Sequence, residues 1–366
     1  EHTGGYTAST LNITPFLSFN SPNMLVIRVD NARMDIPPIS GDFTFFGGIY
    51  RDAWLIAVPS QHFNLTNHGS DGIFITTPRV SEQQATLSIH GEIKNDAREK
   101  AALELVHSIY HPDGTLLQTQ KQFIQLKAGE TRNFDSNISP ILQPLLWTPE
   151  TPYLYRVETT LFNCKTKSIV DQSNHHTGFR WFHFESNKGF YLNGKPYKLR
   201  GICRHQDQKP IGVALTDEMH RRDMKLMKEM GANFIRISHY PQDDAIIEMC
   251  DKLGMLAWEE IPVIDIVPDT PGYGDNCERS LREMIRQHYN HPSIIIWSNG
   301  NEGGWNYQLD KLFAQYDKLQ KRHVVHPWAD FNDLDTHHYP AYLTGVARFT
   351  NGYKVFMPAE FMHGQY

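Results

Sequence analysis

The stretch NFIRISHYPQDDAIIEMCDKLGMLAWEE, from Asn233 to Glu260, decides the fold prediction. It begins with a short apolar strand candidate, Phe234–Ser238, and ends with a second one, Met255–Glu259. Between them, DDAIIEMCDKLG has the apolar spacing of an amphipathic helix, and its final glycine is typical of a helix end. A strand, a helix and a second strand joined by short loops predict a parallel sheet covered by helices.

The same alternation continues on both sides of this stretch. TDEMHRRDMKLMKEMG predicts a helix with Thr216 as its N-cap and Gly231 at its C-terminal end, and CERSLREMIRQHYNHP has the same pattern. Seven strand candidates and no eighth predict a (β/α)8 TIM barrel over residues 184–366 that lacks its last unit. The other strand candidates are Lys198–Cys203, Ile294–Ser298, His323–Ala329, Thr336–His338 and Val355–Pro358.

The first half of the chain has β patterns instead. Residues 73–183 contain strand candidates separated by Asp, Gly and Pro turns, which predicts an immunoglobulin-like β-sandwich. In residues 1–72 two further strands are predicted, NMLVIRVDN at Asn23–Asn31 and GGIYRDAWLIAVP at Gly47–Pro59. Because the chain starts at Glu1 and stops just after an apolar strand, we interpret it as an excerpt of a longer protein, cut at both ends.

Composition excludes several classes of partner. The formal net charge of −6 gives no general attraction to nucleic acid or to anionic membranes. No apolar run reaches the roughly 18 residues that a membrane span requires, so no membrane association is predicted. The four cysteines form no CxxC pair, which argues against a zinc site and against a disulfide framework. A homo-oligomer, and a periplasmic, secreted or cytoplasmic location, stay open.

Polar residues follow most of the predicted barrel strands. In a TIM barrel the chemistry takes place where the strands end, at the C-terminal face. These side chains are therefore expected to converge on one site, although any one of them could instead form a rim ion pair or a turn cap. They are Arg204, His205, His239, Tyr240, Glu259, Glu260, Asn301, Glu302, His338, Tyr339, Glu360 and His363.

Two of the four carboxylates in this set stand out, because each comes after a conspicuous apolar strand. Glu302 lies in IIIWSNGNEGGWN and Glu360 in KVFMPAEFMHG. Retaining glycoside hydrolysis needs an ionised carboxylate to attack the anomeric carbon and a protonated one to protonate the leaving oxygen. The small Gly300, Gly303 and Gly304 are expected to let a ligand approach the backbone. The pair predicts a glycosidase that needs no metal ion or other cofactor.

Several motifs resemble those of glycoside hydrolase family 2. SNGNEGGWN resembles its acid/base segment, and PAEFMHG is similar to the nucleophile segment of its β-galactosidases. LRGICRHQD and NFIRISHYPQD resemble its first-strand and second-strand signatures, and GDFTFFGGIYRDAWL resembles the end of its sugar-binding jelly roll. The resemblance implies that residues 1–72 are the C-terminal part of a jelly roll. It also implies a retaining exo-β-glycosidase, foremost a β-galactosidase, acting on terminal β-galactosides of oligo- or polysaccharides.

The same resemblance implies a role for each matching residue. Glu302 would be the acid/base and Glu360 the nucleophile. Asn301 would bind the sugar 2-hydroxyl, and Tyr339 would hold the carboxylate of the nucleophile through its hydroxyl. The remaining sugar contacts would come from Asp42, His205, His239 and His363.

Some alternatives remain open at this point. A β-glucuronidase or β-mannosidase of the same family, or a carbohydrate-binding relative without catalysis, would carry much of the same pattern. Some members hold magnesium beside the acid/base, but the matching positions here are Ile264 and Ile266, which offer no oxygen ligand, so no magnesium is predicted. Arg236 and Glu260 are expected to form an internal charge network, and Trp305 either stacks on a sugar or only packs.

Overall fold

A computed structural model of the chain describes residues 1–362. Its first strands are β1 (Gln61–Phe63), β2 (Ile73–Thr76), β3 (Gln84–Asn95), β4 (Ala101–Tyr110), β5 (Leu116–Leu126), β6 (Thr131–Leu142), β7 (Tyr155–Asn163) and β8 (Ile169–Thr177). In one antiparallel sheet β3 pairs with β6 on one side and with β1 and β2 on the other. The second antiparallel sheet has the order β5-β4-β7-β8. Buried residues alternate along β3, so Ile89 and Ile93 join the apolar core of a sandwich, as predicted.

A parallel sheet forms the second half of the chain. Its strands, β12 (Gly201–Arg204), β13 (Phe234–Ile237), β14 (Leu256–Glu260), β15 (Ile294–Ser298) and β16 (His323–Val325), pair in chain order. Before them, β9 (Phe182–Glu185), β10 (Gly189–Leu192) and β11 (Lys195–Pro196) form a small antiparallel sheet. The helices are α1 (Asp217–Glu229), α2 (Asp244–Leu253), α3 (Tyr273–Gln287), α4 (Asp310–Tyr316) and α5 (Tyr342–Asn351). The strands and helices alternate as in a TIM barrel.

The predicted helix signals act where they were expected. The side chain of Thr216 accepts a hydrogen bond from the backbone N–H of Met219 and caps α1. Asp243 caps α2 in the same way, and Gly254 ends that helix in a left-handed conformation with φ 71°. Strands β13, β14 and β15 are buried on both faces, which explains their continuous apolar runs.

The strands beyond β16 differ from the prediction. β17 (Asp330–Phe331), β18 (Leu334–Asp335) and β19 (Val355–Phe356) form a separate three-stranded sheet, in which β18 and β19 run parallel. The predicted strand Thr336–His338 is wrong, because the strand residues lie just before it. The chain then turns at Tyr339, which has φ 45° and donates its backbone N–H to the carbonyl of Glu360. This bond brings the last two strand ends together.

The predicted strands Asn23–Asn31 and Gly47–Pro59 are also wrong. Among residues 1–60 the structure has one 3₁₀ turn, Thr14–Phe16, and no strand. Met24 is 88% exposed and Trp54 79% exposed, so their alternating apolar side chains have no surface to cover. A strand forms only where a neighbour satisfies its backbone groups, and no described segment pairs with these two stretches. The predicted jelly-roll part, residues 1–72, thus consists of extended loops over residues 1–60, and its assignment to a jelly roll stays a prediction.

Some of these loops dock on the mouth of the barrel. The Arg51 guanidinium donates to the carbonyls of Tyr6 (2.7 Å) and Pro241 (2.8 Å). The ring of Tyr6 stacks on that of Tyr240, with the centroids 4.5 Å apart. The barrel mouth is thus walled in part by residues from the beginning of the chain. No helix among residues 1–362 is long and apolar enough to cross a membrane.

Candidate active site

Three side chains from different strand ends meet at the C-terminal face of the barrel. One ligand atom each of Glu302, His338 and Glu360 lie within 4.8 Å of one another. Glu302 follows β15, His338 follows β18 and Glu360 follows β19. The carboxyl groups of retaining glycosidases are about 5–5.5 Å apart, whereas those of inverting enzymes are about 6.5–9.5 Å apart. The observed proximity favours the retaining arrangement.

The carboxylate of Glu360 is held by a cation and a hydroxyl. Arg236 donates Nη1–H to its Oε1 over 2.5 Å, and the Tyr339 hydroxyl donates to its Oε2. Burial alone would raise the pKa of Glu360, but the Arg236 charge, His338 and these hydrogen bonds lower the pKa to about 2. Glu360 is therefore ionised at neutral pH, as a nucleophile must be.

Arg236 is the centre of a buried charge network. It is 2% exposed and donates to both oxygens of Glu260, at 3.1 Å each. Burial disfavours the charge on Glu260, but Arg236 and His239 together lower its pKa. The indole N–H of Trp258 also donates to Glu260 over 3.0 Å. The predicted network between Arg236 and Glu260 is present, and it reaches Glu360 directly.

The carboxylate of Glu302 is in the opposite electrostatic environment. No lysine or arginine among residues 1–362 forms an ion pair with it, and its Oε1 lies 3.0 Å from Nδ1 of His338. Burial and the negative charge of Glu360 raise the pKa of Glu302. Its backbone is left-handed, with φ 48°, a conformation that a non-glycine residue adopts only where the surroundings hold it. A raised pKa favours the protonated form that a general acid needs.

Asn301 is oriented by the same arginine. Arg236 Nη2 donates to Oδ1 of Asn301 over 2.6 Å. Because a guanidinium can only donate, this contact assigns the carbonyl oxygen of the amide to Arg236. The NH₂ group of Asn301 then points away from Arg236 and is available to donate to a bound hydroxyl. Asn301 itself is 2% exposed, so the amide is held in a buried position.

Two of the glycines near Glu302 have a packing role, and the predicted approach of a ligand to the backbone stays a prediction. A Cβ on Gly300 would lie 2.1 Å from the carbonyl oxygen of Gly304 and 2.5 Å from that of Val263. A Cβ on Gly304 would lie 2.6 Å from the same Val263 oxygen. These glycines allow the loop after β15 to pack against the loop after β14, where Asn301 N donates to Val263 O over 2.8 Å. They position Glu302 through backbone packing between protein loops.

Two histidines and an unpredicted phenylalanine line one side of the site. His239 Nδ1 lies 2.5 Å from Glu260 Oε1, and its Nε2 lies 3.7 Å from Glu360 Oε1. The rings of His205 and His239 are 5.0 Å apart. Phe43, from the N-terminal loops, lies 5.2 Å from the ring of His205. Phe43 stands in an apolar, aromatic-rich stretch, and nothing in the sequence distinguished it from a core residue.

Asp42 and His363 are the predicted sugar contacts that lie farthest apart in the sequence. Asp42 is exposed beside Phe43, and its negative charge contributes, after burial and Glu360, to the raised pKa of Glu302. Asp42 therefore influences Glu302 only electrostatically, and no hydrogen bond joins it to the other site residues among residues 1–362. His363, the predicted sugar contact after the nucleophile, lies outside the described residues.

Some polar strand-end residues point elsewhere. Glu259 faces away from the site, because side chains alternate along β14, and its Oε1 lies 2.7 Å from Nδ1 of His288 on the helical side. The buried Arg204 forms an ion pair at 2.7 Å with Asp223, whose side chain is partly exposed. Trp305 donates its indole N–H to Pro327 O over 3.0 Å, which supports packing over sugar stacking.

Tyr240 and Trp328 complete the aromatic surroundings. The Tyr240 hydroxyl accepts a hydrogen bond from the backbone N–H of Gln206 over 3.2 Å, so it braces the loop after β12. Trp328 stacks parallel on the ring of His338, with centroids 5.2 Å apart and planes 6° apart. Trp328 follows β16, a strand after which the sequence predicts no polar site residue. The signal in the sequence for its role is an aromatic residue at a strand end.

A second group of side chains has the composition of a metal site, with two carboxylates and one imidazole. Ligand atoms of Asp330, Asp335 and His337 lie within 4.8 Å of one another. Arg348 donates to Asp335 over 2.7 Å there, and so already supplies the positive charge that these acids need. Ile264 is buried and offers no oxygen ligand, so the absence of a magnesium site beside the acid/base stays a prediction.

Comparison with protein families matches the two halves of the chain separately. Residues 71–180 match the model described as "Glycosyl hydrolases family 2". Residues 185–344 match the model described as "Glycosyl hydrolases family 2, TIM barrel domain". These ranges coincide with the sandwich and with the parallel sheet that carries Glu302.

Individual relatives carry two kinds of name. A putative beta-glucuronidase of Formosa agariphila is 37% identical over 355 residues, which are 96% of this chain and 40% of that protein. A beta-galactosidase of Bacteroides ovatus is 31% identical over 305 residues, 81% of this chain and 34% of that protein. The structure of Bacteroides uniformis beta-glucuronidase 2 covalently bound to cyclophellitol-6-carboxylate aziridine has a TM-score of 0.94 and 61% identity, and the match covers 100% of this chain and 49% of that one. The chain thus spans about half the length, or less, of these relatives.

Proposed function

The chain belongs to glycosyl hydrolase family 2, and on that premise we propose that the protein is a retaining β-glycosidase with Glu360 as nucleophile and Glu302 as acid/base. The observation that carries the proposal is the pair of adjacent carboxylates with opposite pKa shifts, lowered to about 2 at Glu360 and raised at Glu302. Two carboxyl groups whose environments separate their pKa values are the signature of paired acid and nucleophile roles. The substrate class is carbohydrate.

The first step forms a covalent glycosyl-enzyme. A carboxylate oxygen of Glu360 attacks the anomeric carbon while the bond from that carbon to the leaving oxygen breaks. Glu302 gives its proton to the leaving oxygen, so the aglycone departs as a neutral alcohol. Arg236 and Tyr339 keep Glu360 ionised and oriented. The amide NH₂ of Asn301 donates to the sugar 2-hydroxyl as positive charge develops on the ring.

The second step releases the sugar. Glu302, now ionised, removes a proton from water, whose oxygen attacks the anomeric carbon and breaks its bond to Glu360. Two inversions at the same carbon give a β-configured product. The raised pKa of Glu302 serves both steps, because the residue must exchange a proton with an oxygen in each of them.

For the sugar, we propose a β-glucuronide as the preferred glycone. The support is that the relatives of higher identity, from Formosa agariphila and Bacteroides uniformis, are named beta-glucuronidases. The inhibitor bound to the Bacteroides uniformis enzyme carries a 6-carboxylate. The preference for β-galactosides inferred from the sequence is therefore not confirmed. It remains the second candidate, because the PAEFMHG segment and the Bacteroides ovatus relative favour it.

The test is a side-by-side assay on the full-length protein. The values of kcat/KM are compared for nitrophenyl β-glucuronide, β-galactoside and β-mannoside. We expect the value for the glucuronide to be at least tenfold higher, which corresponds to an activation free energy lower by about 1.4 kcal/mol. A cyclophellitol aziridine should then label the peptide that contains Glu360, and the first-formed product should keep the β configuration.

Different failures point to different errors. A faster reaction with the galactoside would overturn the glycone assignment and leave the mechanism intact. Labelling of another carboxylate, or an α-configured first product, would overturn the mechanism whatever the sugar. Glu360→Gln serves as the matched control for labelling, since it keeps the shape of the side chain and removes the nucleophile.

A further inference from the structure

His338 lies between the two carboxylates that perform the proposed reaction. Its Nδ1 is 3.0 Å from Oε1 of Glu302 and 3.7 Å from Oε2 of Glu360. Its side chain is fully buried, and one face of its ring is covered by Trp328. The motifs singled out the neighbouring Tyr339 and gave no role to His338. Its position raises the question of which of its nitrogens carries the proton.

The surroundings select one tautomer of a neutral ring. The Nδ1 atom faces two carboxyl groups, which are acceptors when ionised. The Nε2 atom is buried and has no hydrogen-bond partner among residues 1–362. A buried N–H without an acceptor costs more than a bare lone pair, so the proton belongs on Nδ1. Nδ1–H then donates to Oε1 of Glu302.

From this geometry we infer that His338 is a positioning residue: by donating Nδ1–H to Oε1 of Glu302 it reserves Oε2 for the proton delivered to the leaving group. The inference rests on the proposed acid/base role of Glu302. With Oε1 occupied by a donor, a proton on that oxygen would collide with the imidazole N–H. The acidic proton is therefore confined to the other oxygen, and the carboxyl group cannot rotate freely.

The same hydrogen bond serves both chemical steps without any proton leaving His338. When Glu302 gives its proton to the leaving oxygen, Nδ1–H stabilises the carboxylate that forms. When Glu302 takes a proton from water, Oε2 receives it and Nδ1–H stays on the imidazole. Burial, and then the Arg236 charge, lower the pKa of His338 to about 4, so the ring stays neutral at working pH.

Kinetics on two variants of the full-length protein tests this role. His338→Phe keeps a flat ring against Trp328 but removes the donor, whereas His338→Asn loses the ring and keeps an N–H donor close to the position of Nδ1. For a substrate with a poor leaving group we expect His338→Phe to lose roughly 10- to 100-fold in kcat/KM. For a dinitrophenyl glycoside, which needs little acid assistance, the loss should stay below about threefold. His338→Asn should recover most of the difference.

The pH profile supplies a readout that a purely structural role would not change. Loss of a donor to ionised Glu302 raises the pKa of Glu302, so the basic limb of kcat/KM in His338→Phe should move up by about one unit. The charged or titratable groups that face His338 are unchanged in both variants; they are Glu302, Glu360, Glu260, Arg236, His239 and Tyr339. His326→Phe is the matched control, since His326 is also a buried, stacked histidine but bonds to Asp310, and its basic limb should not move.

The outcomes separate the inference from the proposed function. Equal losses for both leaving groups with an unmoved basic limb would reduce His338 to a packing residue and overturn the inference while the glycosidase stands. An inactive wild-type protein would overturn the proposed function, and the inferred role would fall with it. Nitrogen NMR of ring-labelled histidine, assigned by comparison with His338→Asn, tests the tautomer without turnover. A proton on Nε2 of His338 would overturn the inference.

Discussion

Two loops of the barrel surround identical side chains with opposite environments. Glu360, in the segment after β19, is held by the guanidinium of Arg236 from β13 and by the phenolic hydroxyl of Tyr339. The loop after β15 leaves Glu302 next to another carboxylate and a neutral imidazole. The pKa is lowered in the first case and raised in the second. These opposite shifts suit the roles proposed for the two residues, attack by Glu360 and proton donation by Glu302.

The difference between the two loops comes from residues distant in sequence. Glu360 is kept ionised by Arg236 from β13, whereas burial, and then the negative charge of Glu360 itself, raise the pKa of Glu302. If Glu360 were neutral, part of the cause of the raised pKa of Glu302 would disappear. The two environments are therefore coupled, and changes in one should be measurable in the other.

The largest expected effect comes from replacing each carboxylate with its amide. Glu360→Gln removes the nucleophile and should reduce kcat on the order of 10⁶-fold for every aglycone. Glu302→Gln removes the acid/base and should cost roughly 10²- to 10⁴-fold with a poor leaving group, but far less with dinitrophenolate. The comparison of leaving groups by steady-state kinetics distinguishes the two loops.

Added azide sharpens this contrast. In Glu302→Gln, azide can attack the accumulated glycosyl-enzyme without a general base and should restore turnover with a β-configured glycosyl azide. In Glu360→Gln no glycosyl-enzyme forms, so any azide product should have the α configuration. Identical azide products from the two variants would show that the roles of the loops had been assigned incorrectly.

Much of the barrel could be predicted from the sequence because its signals are local. The apolar runs at β13, β14 and β15 and the caps Thr216 and Gly254 act within one element. Glu302 and Glu360 could be named as candidates for the same reason, since each ends a conspicuous strand. The proximity of the two carboxylates agrees with the predicted pairing.

Other features depend on partners that no local pattern records. The stretch Asn23–Asn31 has the alternation of a strand, yet no described neighbour pairs with it. Glu259 and Glu260 are adjacent in sequence, and only the pleat of β14 decides that Glu260 faces Arg236 while Glu259 faces His288. Phe43 reaches the site from about 160 residues upstream of His205, as the numbering shows.

Arg236→Lys should have the next largest effect. A lysine keeps the charge but cannot donate at once to Glu260, Glu360 and Asn301, so we expect roughly a 100-fold loss in kcat/KM. The nucleophile is active only when ionised, and weaker stabilisation of its charge raises the pKa of Glu360. The acid limb of the pH profile should therefore move up by about one unit.

The same shift has a consequence for stability. The pKa of Glu360 lies at about 2 in the folded protein, below its ordinary value of 4.5, so its ionised form stabilises the fold above pH 4.5. That stabilisation is lost as the pH falls from 4.5 towards 2. Melting temperatures of Arg236→Lys should consequently fall less steeply over this window. Arg204→Lys is the matched control: it changes another buried strand-end arginine, paired with Asp223, and should leave the acid limb in place.

Tyr339→Phe should produce the smallest of these effects. It removes the hydroxyl that donates to Glu360 Oε2, while the backbone N–H of residue 339 still donates to the Glu360 carbonyl, so the turn is kept. Loss of one hydrogen bond to a charged group predicts roughly a 10- to 50-fold decrease in kcat/KM, with Arg236 still holding Oε1. Tyr307→Phe, on an exposed tyrosine of the same barrel face, should change kcat/KM less than about twofold. If Tyr339→Phe lost no more kcat/KM than Tyr307→Phe, Arg236 alone would be sufficient to hold Glu360, the proposed nucleophile.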